Sequence, residues 1–201
     1  MLRTLQSLKD GDFLVYTDAA MHFVGAVGRL VEALEGNGHD LLLLGEGFWE
    51  RQYTKRDAFV LMAADVDAIV NTPQRFASTF VIKKSPWSMD FFKRYLDFAE
   101  DPRVLTDQPN CLGLANYPGF VAHRHDQSIL SILSKKEGIC IPRNTFVREG
   151  LQACTTQILN HTRAHHAPRR IIDYLKEVGI LDIADVLQLA RLAKSSSRSS
   201  S

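Results

Sequence analysis

The chain has 201 residues, of which 45% are hydrophobic and 23% charged, and this composition predicts one soluble globular domain. A formal net charge of +1 excludes a global electrostatic attraction to DNA, RNA or an anionic membrane, so no nucleic-acid partner is expected. Apolar runs such as 41–44 are far too short to span a bilayer. Three cysteines without metal-finger spacing indicate reduced thiols and a cytoplasmic location.

The order of the predicted elements indicates an α/β fold. Short runs of apolar, β-branched and aromatic residues predict strands, and apolar residues that recur every three or four positions predict helices. In chain order these elements are a strand at 12–16, a helix at 21–34, a strand at 41–44, a helix at 55–64, a strand at 76–82 and helices at 86–99 and 126–136. Such alternation predicts a layered α/β domain with a short sheet.

Three further features divide the chain. Ser85 and Pro86 suit the cap and the first turn of a helix, because serine accepts a hydrogen bond there and proline has no N–H to lose. Residues 101–120 are rich in proline and glycine and predict a long loop, which in a compact domain is usually functional or mobile. Helical patterns predict a C-terminal extension at 151–194, and the serine-rich tail at 195–201 is expected to be disordered.

The first candidate site is the segment 16–20, Tyr-Thr-Asp-Ala-Ala, at the end of the first predicted strand. An aspartate at the carboxyl end of a buried strand lies where open α/β sheets bind ligands. The Asp18 carboxylate would suit Mg²⁺ or Mn²⁺ on a diphosphate, since both ions prefer oxygen ligands. A second interpretation stays open, in which Asp18 is the N-cap of a helix from Ala20 onward.

The second candidate site is the polar segment 123–128, His-Arg-His-Asp-Gln-Ser, which opens an apolar helix. A helix N-terminus attracts phosphate or carboxylate groups, and Arg124 adds a fork of donors. Asp126 is a candidate base or charge partner for a cationic transition state, and His123 and His125 are candidate metal ligands or hydrogen-bond donors. The alternative is a capping cluster, with Asp126 as the cap and both histidines solvated.

The third candidate is the polar segment 50–57, Glu-Arg-Gln-Tyr-Thr-Lys-Arg-Asp, which two aromatic residues precede. The rings of Phe48, Trp49 and Tyr53 suit stacking on sugar faces, and the carboxylates and amides of the segment suit hydrogen bonds to sugar hydroxyls. The alternative is a solvated loop that leads into the next helix, with Thr54 as the cap.

Taken in order, five segments resemble the GT-A nucleotide-sugar glycosyltransferases. The stretch 11–19, Gly-Asp-Phe-Leu-Val-Tyr-Thr-Asp-Ala, resembles the strand that delivers the Asp-x-Asp metal motif. The stretch 125–130, His-Asp-Gln-Ser-Ile-Leu, resembles the Asp-Gln helix start found downstream in several of those families. The segments between them that resemble bacterial-type GT-A proteins are 53–59, 74–83 and 116–120. The resemblance covers residues 10–147 and depends on the ordered set rather than on one motif.

The resemblance implies a GT-A-like (Rossmann-like) fold and a transferase activity. Such an enzyme binds a nucleoside-diphosphate sugar, often with Mn²⁺ or Mg²⁺, and passes the sugar to a carbohydrate or other acceptor hydroxyl. By position, Asp18 would bind the metal or the ribose, and Asp126 would act beside the transferred sugar as catalytic base or donor ligand. The implied substrate-binding residues are His123, Arg124, His125 and Gln127 for donor sugar and phosphate, and Lys55 and Asp57 for donor or acceptor hydroxyls.

Two departures from the family pattern qualify this hypothesis. Asp18 is followed by Ala19 and Ala20 in place of a second aspartate, which leaves one protein carboxylate for a metal. The nucleotide-binding elements that precede this strand in the family have no counterpart here, so the domain at 1–150 is expected to be truncated on its N-terminal side. Its first strand would then form an exposed sheet edge through which two copies can associate.

Two other functions remain open beside the glycosyltransferase. One is a non-catalytic remnant of such a domain that binds a glycan or a protein, which the Asp-Ala-Ala sequence and the missing upstream part favour. The other is a metal-dependent hydrolase that uses His123, His125 and Asp126 around a zinc ion.

Overall fold

The computed structural model describes residues 1–141, 147–148 and 157–161. All of them belong to one structural unit, which spans residues 1–161. Most of the predicted helical extension at 151–194 and all of the tail at 195–201 lie outside the described residues. The described part of that extension contains a strand, Leu159–His161.

The described elements are short, apart from two helices. The helices are α1 (Leu2–Ser7), α2 (Gly28–Glu35), α3 (Glu50–Tyr53), α4 (Arg56–Leu61), α5 (Asp67–Val70), α6 (Pro86–Ala99), α7 (Pro102–Leu105) and α8 (His125–Lys136). The strands are β1 (Phe13–Thr17), β2 (Met21–Phe23), β3 (Leu41–Leu43), β4 (Glu46–Trp49), β5 (Pro73–Arg75), β6 (Thr79–Lys83), β7 (Val147–Arg148) and β8 (Leu159–His161).

The central sheet contains the three predicted strands, in the order β1-β6-β3. Both pairings are antiparallel, and Val81 of β6 lies opposite Val15 of β1 and Leu42 of β3. Branched and aromatic side chains favour this half-buried, pleated environment. The described residues therefore form a mixed α/β structure with small, mainly antiparallel sheets. The sequence pattern predicts that Asp18 lies at the carboxyl edge of an open α/β sheet, which is built from parallel strands. The central sheet, as described, contains no parallel pair.

Two hydrophobic clusters cover the opposite faces of this sheet, because successive side chains of a strand alternate in direction. In β3, Leu41 and Leu43 enter one cluster and Leu42 enters the other, and all three are fully buried. The first, here named the α6 cluster, also contains buried residues of α1, α4, α5, α6, α7 and α8. The second, the α2 cluster, is completed by α2, β2 and β8.

The prediction that Ser85 caps a helix is confirmed by α6. Ser85 Oγ accepts a hydrogen bond from Ser88 N at 3.1 Å, and Ser85 N donates to Ser88 Oγ at 2.9 Å, which makes a reciprocal capping box. Ser85 Oγ also donates to Asp40 Oδ2 at 2.6 Å, so the start of α6 is attached to the residue before β3.

The single helix predicted at 21–34 is wrong in its first part. Met21–Phe23 forms β2 and pairs with β8, and α2 begins only at Gly28. A tertiary strand pairing has overridden the local helical periodicity. Asp18 is consequently not a helix cap: its carbonyl accepts a hydrogen bond from Met21 N at 2.9 Å in the turn between β1 and β2.

The predicted loop at 101–120 is largely irregular but begins with the short helix α7, which Asp101 caps by accepting a hydrogen bond from Arg103 N at 2.9 Å. The loop ends where Val121 N donates to Gln52 O at 2.8 Å, beside α3. Within the described part of the chain, no helix has the length and apolar character needed to cross a membrane.

Candidate functional site

Two predicted site residues from separate segments, Asp18 and Asp126, both act electrostatically on Tyr16. The hydroxyl of Tyr16 donates a hydrogen bond to Asp18 Oδ1 at 3.1 Å. Partial burial raises the pKa of Tyr16, and the negative charges of Asp18 and Asp126 raise it further. Both carboxylates are exposed. The end of β1 and the start of α8 therefore present to solvent two negative groups that act on Tyr16.

A row of aromatic rings runs from β1 through β6 to α6. Tyr16 stacks on Phe80 of β6 with 4.8 Å between ring centroids, and Phe80 stacks on Phe92 of α6 at 5.9 Å. Phe92 then meets Tyr95 edge-on at 6.0 Å. Burial raises the pKa of Tyr95, and the charge of Asp126 adds to that rise. The carboxylate of Asp126 thus acts on the tyrosine at each end of the row.

The first turn of α8 has an unusual backbone conformation. His125 has φ of 49°, in the left-handed region that a non-glycine residue seldom occupies. Its Nε2 shares a hydrogen bond of 3.0 Å with Asp107 Oδ2, which lowers the pKa of Asp107. Asp126 is not the helix cap, a position held by Arg124 without a side-chain capping bond. Instead, Asp126 Oδ1 accepts a hydrogen bond from Gln127 N at 3.0 Å.

The side chains of Arg124 and Gln127 have different surroundings. The guanidinium of Arg124 lies over the ring of Tyr53, 4.8 Å from its centroid, and Arg124 N donates to Tyr53 O at 3.0 Å. Gln127 Nε2 donates to Gln74 Oε1 at 2.7 Å. The guanidinium of Arg124 is therefore partly buried against an aromatic ring, whereas the Gln127 amide is held by a hydrogen bond to another side chain.

His123 is buried, and both of its ring nitrogens contact the protein. Its Nε2 donates to Val104 O at 2.7 Å, and its Nδ1 accepts a hydrogen bond from Lys55 N at 3.3 Å. These partners define the neutral Nε2–H tautomer. Burial lowers the pKa of His123 to about 4. An imidazole engaged at both nitrogens has no free ligand atom, which gives no support to a zinc site built on His123.

Lys55 and Asp57, predicted to face substrate hydroxyls, are buried and contact the long loop. The ammonium of Lys55 donates to the carbonyls of Thr106 and Gln108, each at 3.0 Å. The carboxylate of Asp57 accepts a hydrogen bond from Cys111 N at 2.6 Å. The charged atoms of both side chains therefore form hydrogen bonds with the backbone of the loop, and these bonds position the loop.

Arg56, between these two residues, contributes a third attachment. Its backbone N–H donates to Asn116 Oδ1 at 2.8 Å, and its guanidinium forms an ion pair with Asp65 at 2.9 Å. The same guanidinium lies 4.0 Å from the ring centroid of Tyr117, whose hydroxyl donates to Asp65 Oδ1 at 2.7 Å. The three consecutive residues 55–57 thus hold the loop at 106–117 at several points.

The loop borders an open cleft of about 430 Å³. The lining of this loop cleft combines polar side chains, among them Lys55, Asp107, Asn110 and Asn116, with apolar ones, among them Phe120 and Val121. Asp107 belongs to the lining and also bonds to His125, so the cleft opens beside the first turn of α8.

Sequence reasoning does not predict the buried polar network beneath α8. Glu50 is fully buried, and its Oε1 accepts hydrogen bonds from Thr54 Oγ1 at 2.7 Å and from Gln74 Nε2 at 3.1 Å. Its Oε2 accepts from Ser131 Oγ at 2.6 Å and forms an ion pair with the ammonium of Lys135. Burial lowers the pKa of Lys135, and the charge of Glu50 opposes that shift.

A sequence signal for this network does exist. Ser128, Ser131 and Ser134 recur every three residues along one side of α8, among buried leucines and isoleucines. Hydroxyls at helical spacing inside an apolar helix indicate polar partners in the core, because buried hydroxyls need hydrogen bonds. The serine spacing does not predict that the partner is Glu50 or that Glu50 pairs with Lys135, because Glu50 is brought to α8 only by the tertiary structure. Tyr95 and Asp107 likewise have no local motif that marks them.

The described residues offer limited protein ligation for a divalent cation. In ranges 1–141, 147–148 and 157–161, no three His, Cys, Asp or Glu side chains are grouped to hold a metal ion. Asp18 offers one exposed carboxylate, of which Oδ1 already accepts a hydrogen bond from Tyr16. That residue fits a hard cation only if a diphosphate and water complete the coordination.

Comparisons of the chain with protein-family models, with curated proteins and with solved structures find no match. The function is therefore inferred from the chemistry of the candidate site. Its components are the two carboxylates that act on Tyr16, the cation Arg124, the exposed turn at His125 and the adjoining loop cleft.

Proposed function

We propose that the chain is a glycosyltransferase domain of GT-A-like architecture that transfers a sugar from a nucleoside-diphosphate sugar to an acceptor hydroxyl. The observation that carries the proposal is the hydrogen bond of 3.1 Å from Tyr16 to Asp18, together with the negative charge of Asp126, which also raises the pKa of that tyrosine. Their two segments are the ones whose sequence resembles the metal-motif strand and the Asp-Gln helix start. The meeting of these two segments at one surface is what a shared donor site requires.

Asp126 has the chemistry needed beside the transferred sugar. Its carboxylate is exposed at the first turn of α8, where it can accept a proton from an acceptor hydroxyl or bind the donor sugar. The cation Arg124 and the N-terminus of α8 supply positive potential beside it, and both favour the diphosphate of the donor. These charges would stabilise the leaving group as the bond to the sugar breaks.

A divalent cation, if it takes part, would be shared between Asp18 and the diphosphate of the donor. When bound, Mn²⁺ or Mg²⁺ would supply electrostatic stabilisation of the leaving diphosphate. The chain itself contributes the Asp18 carboxylate, whose orientation is set by the hydrogen bond from Tyr16. In this proposal Lys55, Asp57 and His123 act indirectly, because they hold the loop that borders the cleft.

The test is calorimetric titration of the purified chain with UDP and with GDP, each in the presence and absence of Mn²⁺. Asp18→Asn is expected to abolish the effect of Mn²⁺ on nucleotide binding, because it removes the protein carboxylate available to the ion. Asp126→Asn is expected to leave nucleotide binding largely intact and to stop release of the nucleotide from the corresponding sugar nucleotides. Asp97→Asn, which changes an exposed carboxylate on α6, is the matched control.

Absence of binding by both nucleotides would refute the proposal for this chain. Nucleotide binding unaffected by Asp18→Asn would also contradict it, because the carboxylate pair would then have no part in the site. Glycan binding without any nucleotide binding would favour the non-catalytic module over the transferase.

A further inference from the structure

Strand β4 and the helix α3 that follows it directly carry aromatic rings that reach solvent. Phe48 is 52% exposed, although a phenylalanine of a folded chain is more often buried. Its ring lies 4.8 Å from that of Tyr53, and the guanidinium of Arg124 lies over the same tyrosine ring at 4.8 Å. These three side chains, Phe48, Tyr53 and Arg124, are here called the aromatic platform.

The aromatic platform has a firm backbone support. Tyr53 O accepts hydrogen bonds from Arg124 N and Ser128 Oγ, each at 3.0 Å, so the two segments that carry the platform are joined directly. On β4, a Cβ placed at Gly47 would lie 2.6 Å from the ring of Phe76. Phe76 therefore covers the inner side of β4, and the alternation of side chains along the strand turns Phe48 outward.

The platform adjoins the candidate site. Arg124 is followed directly by His125 and Asp126 at the start of α8. Asp126 is therefore two residues along the chain from the cation that completes the platform. The platform also offers guanidinium N–H donors at its rim, since no side-chain hydrogen bond of Arg124 occurs among the described residues.

This combination suits a sugar ring better than a protein partner. The faces of a pyranose carry C–H groups that stack on aromatic rings, and its rim carries hydroxyls that pair with donors such as Arg124. The three platform residues and the neighbouring Trp49, which is 46% exposed, are far fewer than the roughly 20–30 residues a side of a standard protein interface. An extended apolar patch would be needed for a stable protein complex.

We propose that the aromatic platform is the acceptor subsite and that it binds a pyranose ring of an oligosaccharide acceptor. The inference rests on the proposed transferase function, because an acceptor is meaningful only beside a donor. The bound ring lies on Phe48 and Tyr53, and a hydroxyl of the same or the next sugar residue points towards Asp126.

The test is calorimetric titration with cellotetraose and with chitotetraose, without nucleotide. Equatorial ring substituents leave only C–H groups on the faces of these sugars, which makes both suitable probes. Phe48→Ala is expected to weaken binding about tenfold, equivalent to about 1.4 kcal/mol, and Phe48→Tyr to retain it. Phe23→Ala is the matched control, because Phe23 is the same residue type, 45% exposed, and lies on β2. It should bind as the wild type does.

Failure of the wild type to bind either tetrasaccharide would overturn the inference, as would equal weakening by Phe48→Ala and Phe23→Ala. The result is separable from the nucleotide titrations. Platform-dependent glycan binding without nucleotide binding would leave a glycan site and refute the transferase, whereas nucleotide binding with no platform effect would refute the acceptor subsite alone.

Discussion

Glu50 and Lys135 form a buried ion pair that connects α3 with α8. Glu50 is fully buried, the side chain of Lys135 is 9% exposed, and both oxygens of Glu50 accept further hydrogen bonds. Burying two charges is unfavourable, and their mutual attraction together with those hydrogen bonds offsets that loss. Removal of one partner is therefore expected to destabilise the fold more than removal of both.

The first prediction concerns this pair. Lys135→Met should lower the free energy of unfolding by roughly 3–5 kcal/mol, because the Glu50 carboxylate remains buried without its counter-ion. The double variant Glu50→Gln/Lys135→Met should recover a substantial part of the loss. Urea unfolding of the wild type, both single variants and the double variant measures the coupling. Additive effects of the two substitutions would show that the pair is not coupled.

His123 makes the stability dependent on pH, and the sign follows from its lowered pKa. In the folded protein the pKa is about 4, against 6.5 for an ordinary histidine. Between these values the unfolded chain binds a proton that the folded chain does not. The free energy of unfolding is therefore unaffected by the titration of His123 above pH 6.5. As the pH falls below that value, protonation of His123 in the unfolded chain lowers the free energy of unfolding, by roughly 3 kcal/mol at pH 4.

The test of this second prediction is urea unfolding of the wild type and His123→Gln at several pH values between 4 and 7. The glutamine removes the titrating ring, while the other titratable groups remain in both proteins. The wild type should lose more stability on acidification than the variant does. Parallel curves of stability against pH would mean that His123 is not buried as a neutral imidazole.

At the scale of elements, the short helix α4 and the residue before it organise the long loop through Lys55, Arg56 and Asp57. The carboxylate of Asp57 bonds to the backbone N–H of Cys111 at 2.6 Å, and a hydrogen bond to a charged group contributes more than one between neutral groups. The loop lacks regular backbone pairing over most of its length, so these attachments are expected to determine its order.

The third prediction follows from that attachment. Asp57→Asn should increase amide hydrogen exchange at Cys111 and Leu112 by about tenfold, because a hydrogen bond to a charged group contributes about 1.5–3 kcal/mol. Exchange monitored by mass spectrometry checks this. Asp67→Asn is the control, since Asp67 is an exposed carboxylate on α5 that bonds to Asn71. Unchanged exchange at Cys111 would mean that other contacts hold the loop.

The sequence predicts elements well where a local signal is strong. The capping serine before α6, the apolar run of β3 and the helix of α8 all have signals within a few residues, and all three elements form. The pairing of β2 with β8 has no such signal, because the partners are far apart in the chain, and the helical periodicity at 21–34 is misleading there. Local patterns describe local preferences, whereas strand pairing is decided by tertiary contacts.

The candidate site shows the same limit for side chains. The sequence marks Asp18, Asp126 and Lys55 as polar residues in suggestive positions, but polarity does not reveal which of them face solvent. Asp126 is exposed, whereas Lys55 is used to hold the loop. Lys55 is buried because backbone carbonyls of the folded loop lie within hydrogen-bond distance of its ammonium group. The path of the loop determines where those carbonyls lie, and the Lys-Arg-Asp sequence does not reveal it.

At the scale of the whole molecule, the central sheet is shared by the α6 cluster and the α2 cluster. Every strand of the sheet contributes to both, since adjacent residues point to opposite faces. Loss of either cluster would expose one face of the same three strands. The two clusters are therefore expected to unfold in one cooperative transition, as small domains commonly do.

Leu42 and Leu43 allow a matched test of this fourth prediction. They are neighbours in β3, both fully buried, and they enter the α2 cluster and the α6 cluster respectively. Leu42→Ala and Leu43→Ala should each lower the free energy of unfolding by roughly 2–5 kcal/mol. Each variant should keep a single urea transition, with circular dichroism and fluorescence in agreement. A biphasic transition in Leu42→Ala alone would show that the α2 cluster can melt while the α6 cluster stays folded, and the sheet would then depend chiefly on its α6 face.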